Sequence, residues 1–124
     1  MSLLAQTFVG IAAALHVLFF VMESVVFTRP QVHRRFGLSR EHAEIVRPMA
    51  FNQGFYNLFL AVGAVVGLVL VNAGEDTAGV AVASFACAVM LGASVVLVAT
   101  DRRFLPAAAV QGLPPLVALL LIVL

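Results

Sequence analysis

Charge is the scarcest commodity in this sequence. Only 10% of its 124 residues are Asp, Glu, Lys or Arg, where an ordinary soluble domain carries about 25%. With 63% hydrophobic residues and a mean hydropathy of +1.11, that shortfall excludes a water-soluble globule. The net charge of +1 gives no footing for nucleic acid. Cys87 is the sole cysteine, so no intrachain disulfide can form, and its apolar surroundings predict a small buried side chain. Tryptophan is absent. The first apolar run, from Leu3, is preceded by no basic residue, is too long for a signal peptide and contains His16 and Glu23. A retained transmembrane helix is expected there. There is no low-complexity segment and no clear repeat, and the length suits one domain, residues 1–124.

What is present is long continuous apolar stretches. Four of them, Leu3–Phe27, Met49–Asn72, Thr77–Ala99 and Leu105–Leu124, can each cross a hydrocarbon core of about 30 Å, which takes about 20 helical residues. Continuous rather than alternating hydrophobicity favours helices over barrel strands. The connections differ in charge. The first, Thr28–Pro48, holds Arg29, Arg34, Arg35, Arg40 and Arg47; the second, around Gly74-Glu75-Asp76, has acids and no base; the third is Asp101-Arg102-Arg103. Every arginine falls in the first or third loop, which must share a side, and the positive-inside rule assigns that side to the cytoplasm. The expected fold is all-α: a polytopic four-helix bundle of a bacterial-type inner membrane, with both termini outside and a long basic cytoplasmic loop, 28–48. Within that loop Ser39 is placed to cap a short helix, Arg40–Arg47, with Glu41 in its first turn. The loop either rests on anionic headgroups or acts as a lid.

The polar residues inside the spans carry the functional argument, because an ionisable group in hydrocarbon is expensive. His16 and Glu23 lie on the first helix, Asn52, Gln53, Tyr56 and Asn57 on the second, and Gln111 on the fourth. Measured from the expected cytoplasmic ends at 1.5 Å per residue, Glu23 is about 6 Å deep, His16 about 16 Å, the second-helix group about 6–14 Å and Gln111 about 9 Å. These depths interleave, which predicts one polar pocket open to the cytoplasm. His16 and Glu23, seven apart, share a helix face and form a candidate proton-handling pair. Asn52, Gln53, Tyr56, Asn57 and Gln111 are candidate ligand-binding residues; the competing reading is interhelical hydrogen bonding that only fixes packing. Pro114 and Pro115 free the carbonyls of Val110 and Gln111, which a water-lined cavity would satisfy. No metal-ligand spacing lies within a span, and the sequence does not identify a cofactor. Gly63 and Gly67 on the second span, and Ser84, Ala88 and Gly92 on the third, are small residues four apart that permit close helix contact, either within the bundle or in a homodimer.

Three strings carry a family resemblance: Leu15-His16 with Glu23 and Phe36-Gly37-Leu38; Asn52-Gln53-Gly54-Phe55-Tyr56-Asn57 followed by Phe59-Leu60-Ala61; and Gln111-Gly112-Leu113-Pro114. Across nearly the whole chain they resemble the small four-helix membrane proteins grouped as domain of unknown function 1304, distant relatives of the DoxX-like proteins. The resemblance implies a shared site at His16, Glu23, Asn52, Gln53, Tyr56, Asn57 and Gln111. Members often carry a tryptophan near the end of the first helix; here Phe27 stands in that area, so tryptophan-dependent stacking is not implied. The family has no established activity, so the resemblance bears on fold and site.

Three functions compete. The first is binding of a small amphipathic or lipid-like molecule in the pocket, with acid/base chemistry at His16 and Glu23 and with Phe19, Phe20, Phe55 and Phe59 as apolar walls. The second is a small proton-coupled exporter of the small-multidrug-resistance type, against which stand the long basic loop and the lack of a polar path in the outward half. The third is a structural or assembly subunit whose polar groups set helix register.

Overall fold

The computed structural model describes residues 1–124 and contains helices and turns but no strand. The element order is α1 (Leu3–Phe20), a π-helical turn (Val21–Val25), α2 (Pro30–His33), a 3-10 turn (Arg34–Phe36), α3 (Arg40–Asn72), α4 (Asp76–Thr100), a 3-10 turn (Arg102–Phe104) and α5 (Leu105–Val123). Four helical segments are long and apolar enough to cross a membrane: Leu3–Val25, Arg40–Asn72, Asp76–Thr100 and Arg102–Val123.

Two compact units make up the chain. The first comprises Met1–Leu15 and Leu60–Leu124. All four long helices contribute to its core: Val9, Ala12 and Ala13 from α1, Ala61 and Ala64 from α3, Ala83, Ala86, Cys87 and Met90 from α4, and Ala118 from α5. Most of these are alanines, while bulkier Val62, Val66, Val69, Phe85, Val96 and Leu113 are exposed. A water-soluble core would put the large side chains inside. In lipid, where tails are as apolar as leucine, helices associate through close backbone packing of small residues. The contact is tightest at Gly67, where an added Cβ would lie 2.7 Å from the backbone nitrogen of Ala83. Gly63 faces the Ala86 methyl on the same seam, so the glycine face of α3 is occupied within the chain. On α4, Ala88 and Gly92 stay exposed.

Turn chemistry sets the ends. α3 stops in a Schellman arrangement: Glu75 N–H donates to the Leu70 carbonyl (2.9 Å), Gly74 N–H to the Val71 carbonyl (3.2 Å), and Gly74 takes φ +90°. A glycine enters that left-handed conformation without a Cβ penalty. Between α4 and α5, the Asp101 carboxylate accepts the Arg103 backbone N–H (2.9 Å) and two guanidinium donors (2.7 and 2.9 Å), making the third connection a tight capped turn.

The second unit, His16–Phe59, departs from the expected boundaries in two places. The α-helical part of the first span ends at Phe20, and the π turn follows, marked by Val26 N–H donating to the Val21 carbonyl at 3.0 Å. The segment expected as a separate short helix, Arg40–Arg47, is continuous with the second span through Pro48. Proline removes the bond to the carbonyl four residues back, here that of Glu44. Both residues are exposed, so water can serve that carbonyl and the helix survives. Ser39 does cap α3, accepting the His42 N–H at 3.2 Å. The remainder of loop 28–48 is ordered by buried His33, whose Nδ1–H donates to the Leu38 carbonyl (2.8 Å), and by buried Phe27, whose ring meets Phe36 at 5.4 Å. Gly37, at φ +69°, makes the turn between them.

Candidate functional site

The site begins with a glycine. Gly54 is buried on α3, and an added Cβ there would collide with the Ser24 hydroxyl and lie 3.1 Å from both the Glu23 Cβ and the Phe20 carbonyl oxygen. Its missing side chain lets α3 come against the π turn. Two polar contacts then close over the glycine. Ser24 Oγ donates to the Phe51 carbonyl at 2.7 Å, and Asn57 Nδ2 donates to Glu23 Oε2 at 2.6 Å. Asn57 thereby gives a partner to a carboxyl held within the first apolar span, and a π turn inside a helix is rare and often found at functional sites.

Aromatic rings flank this polar point. Phe20 meets Phe55 edge-on with centroids 5.1 Å apart, and Phe55 continues the row to Phe51 (5.1 Å) and Phe59 (6.2 Å). His16 is fully buried one helical stretch before the π turn, its ring edge-to-face with Phe19 at 5.4 Å. The arrangement is therefore one partly buried carboxyl, held by an amide and bordered by phenyl rings, on a locally widened helix. Such a carboxyl can hold or release a proton and can accept a donor from a small ligand.

The expected site residues are placed unequally. Glu23 and Asn57 are joined directly. His16 is in the same unit and buried. Asn52, Gln53 and Tyr56 lie on α3 but are exposed, Tyr56 at 60%. They face the surroundings of this unit, whereas the sequence reading had them converging on one pocket. Gln111 is half-buried in the first unit, beside Gly112, whose close neighbour is the Ser94 hydroxyl. Three residues escaped the sequence reading: Gly54, Ser24 and Phe51. For Gly54 the signal is the small-residue stripe Gly54, Ala61, Ala64, which shares a helical face with Asn57 and so marks Asn57 as the inward member of the polar group; no pattern in the sequence signals Ser24 or Phe51.

The family model for proteins of unknown function DUF1304 matches residues 10–123. The chain belongs to that family. The match takes in the π turn, Gly54 and the Glu23–Asn57 pair, so the site described here lies wholly inside the family's domain. No curated protein and no solved structure matches the chain.

Proposed function

We propose that this family member binds a small amphipathic or lipid-like molecule at the Glu23–Asn57 pair, in an inner membrane, with access from the cytoplasmic side. The observation that carries this reading is the 2.6 Å bond from Asn57 to Glu23 across a π turn. A helix register that needed only packing would be set more cheaply by another small residue at position 57 and an apolar one at 23. Instead the chain keeps a carboxyl within its first apolar span, and an ionisable group retained there is by default a functional one. Glu23 holds or moves a proton on the ligand, Asn57 orients the carboxyl, and the phenyl groups of Phe20, Phe55 and Phe59 take the apolar portion. His16 contributes a second titratable group on the same helix. Exposed Asn52 and Gln53 meet the ligand as it arrives from the bilayer interface, and exposed Tyr56, about 12 Å deep, meets it further in. Gln111 belongs to the other unit and has no part in this reading.

The test is native mass spectrometry of the protein gently extracted from its own membrane, with Glu23→Gln and His16→Ala beside the wild type. A glutamine keeps an oxygen to accept the Asn57 bond and removes only the proton chemistry, so the fold is expected to persist. The expected result is a discrete bound mass on the wild type that is lost from Glu23→Gln. An empty wild type, or a mass indifferent to both substitutions, contradicts the reading.

A further inference from the structure

The connection between the first two spans forms a second feature, independent of the Glu23–Asn57 pair. Thr28, Arg29 and Pro30 on one side and Arg40 and Glu44 on the other line an open groove of about 370 Å³. Its walls are fixed by bonds within the connection. The Arg29 carbonyl accepts the backbone N–H groups of Val32 (2.8 Å) and His33 (3.0 Å), and the Ser39 cap starts α3 one residue before Arg40. Thr28 follows the π turn by three residues. Glu44 precedes Met49, the first apolar residue of the second span, by about 7 Å of helix. A headgroup layer is about 5–8 Å thick on each side of the hydrocarbon, so the groove lies at headgroup depth.

The lining groups specify the ligand. Two guanidiniums bring positive charge and forked donors that match phosphate oxygens. The Thr28 hydroxyl adds a third donor. Glu44 works against a bare phosphate, since a carboxylate in the same groove repels it. Its only ion-pair contact, Arg47 Nη1 at 4.0 Å with both side chains more than half exposed, is of the weak surface type, which leaves the carboxylate available. A group that carries a phosphate and a primary ammonium together gives each of the four polar lining residues a partner. We propose that this groove binds the headgroup of an aminophospholipid, with the phosphate on Arg29, Arg40 and Thr28 and the ammonium on Glu44.

This differs from the general attraction of a basic loop to anionic lipid. General attraction favours an anionic headgroup such as phosphatidylglycerol over any zwitterion. The groove favours phosphatidylethanolamine over phosphatidylglycerol, and also over phosphatidylcholine, whose quaternary ammonium cannot donate a hydrogen bond to Glu44.

The experiment is lipid titration of the full-length detergent-solubilised protein by native mass spectrometry, with these three lipids on identical acyl chains. Soluble competitors, glycerophosphoethanolamine and inorganic phosphate, separate a lipid-headgroup site from a free-phosphate site. Phosphatidylethanolamine is expected to bind at least about tenfold more tightly than the other two, equivalent to about 1.4 kcal/mol. Arg29→Gln combined with Arg40→Gln is expected to remove that binding. Glu44→Ala, which removes the acceptor from an exposed position, is expected to equalise phosphatidylethanolamine and phosphatidylcholine while both still bind, which a simple loss of fold would not produce. Glycerophosphoethanolamine should compete and inorganic phosphate should not. A preference for phosphatidylglycerol, indifference to Glu44→Ala, or displacement by inorganic phosphate at the same concentration as glycerophosphoethanolamine each overturns the proposal.

Discussion

At the scale of single residues, the site depends on what position 54 lacks. Gly54→Ala pushes a methyl group into the Ser24 hydroxyl, which is already committed to the Phe51 carbonyl at 2.7 Å. The Ser24 hydroxyl must give up that carbonyl or the helices must part, and overpacking of this kind costs about 1–3 kcal/mol. Reversible unfolding in mixed micelles should register that loss, and the Glu23–Asn57 bond should open with it; a neutral Gly54→Ala would mean that the helices are not in contact there. A second residue-scale expectation concerns the turn before α5. The Arg103 side chain bonded to Asp101 holds that carboxyl below the ordinary carboxylate range. A depressed native value means that the pair stabilises the fold above the unfolded value of about 3.9 and that this is lost as pH falls through the native one. Carbon-detected NMR should find Asp101 titrating below an ordinary aspartate, and Arg103→Gln should raise it part of the way, because the backbone N–H at position 103 still donates to it. The sequence made Glu23 and Asn57 legible because each is polar in an apolar run. Its hydropathy pattern does not show which of Asn52, Gln53, Tyr56 and Asn57 faces inward. Large apolar side chains such as Phe51, Phe59 and Val62 occupy the exposed side of α3, so hydrophobicity distinguishes no face, and only residue size does.

At the scale of elements, the four spans were readable from length and hydropathy alone, and the α3–α4 turn from Gly74 with its acidic neighbours. Two features were hidden. One is the π turn at Val21–Val25. A π turn shifts the helical register by about one residue, and Glu23 lies inside it, so the spacing rule of an unbroken α-helix does not carry over from His16 to Glu23. No composition rule signals such a turn. The other is the passage of α3 through Pro48, where local proline chemistry predicted a boundary and solvent access at Glu44 permitted continuity. An interior proline costs about 3 kcal/mol relative to alanine in a helix. Pro48→Ala should therefore leave the protein as stable or more stable, with increased amide-exchange protection around it; a clear destabilisation would show that the proline bends α3 into a required shape. Gly67→Leu tests the opposite case. With Ala83 backbone 2.7 Å from the would-be Cβ, the α3–α4 seam cannot admit a large side chain, and loss of the folded species on thermal unfolding is expected.

At the scale of the whole molecule, the arginine distribution is the strongest statement that the sequence makes. Arg29, Arg34, Arg35, Arg40 and Arg47 in one connection and Arg102 and Arg103 in another, with none in the Gly74–Asp76 turn, give a topology that labelling can check. In a Cys87→Ser background, Gln31→Cys should react with an impermeant maleimide only when the cytoplasmic face is open, and Glu75→Cys should react on intact cells. The reverse pattern would invert the protein, and with it the side from which the Glu23 site is reached. The alanine-rich core of the first unit was not anticipated residue by residue. It follows from the solvent: where lipid surrounds the helices, bulk moves outward and the small residues of α1, α3, α4 and α5 meet inside.

The central claim is that Glu23 and Asn57 act as a bonded pair within the membrane, and a double-mutant cycle tests it most directly. Glu23→Ala, Asn57→Ala and the double variant would be unfolded reversibly in bicelles beside the wild type. A bond to an ionised or proton-sharing carboxyl predicts a coupling energy of about 1 kcal/mol or more, near the upper end for interhelical bonds in membranes. Additivity to within about 0.3 kcal/mol would mean that the two side chains do not act together, and the site would have no nucleus.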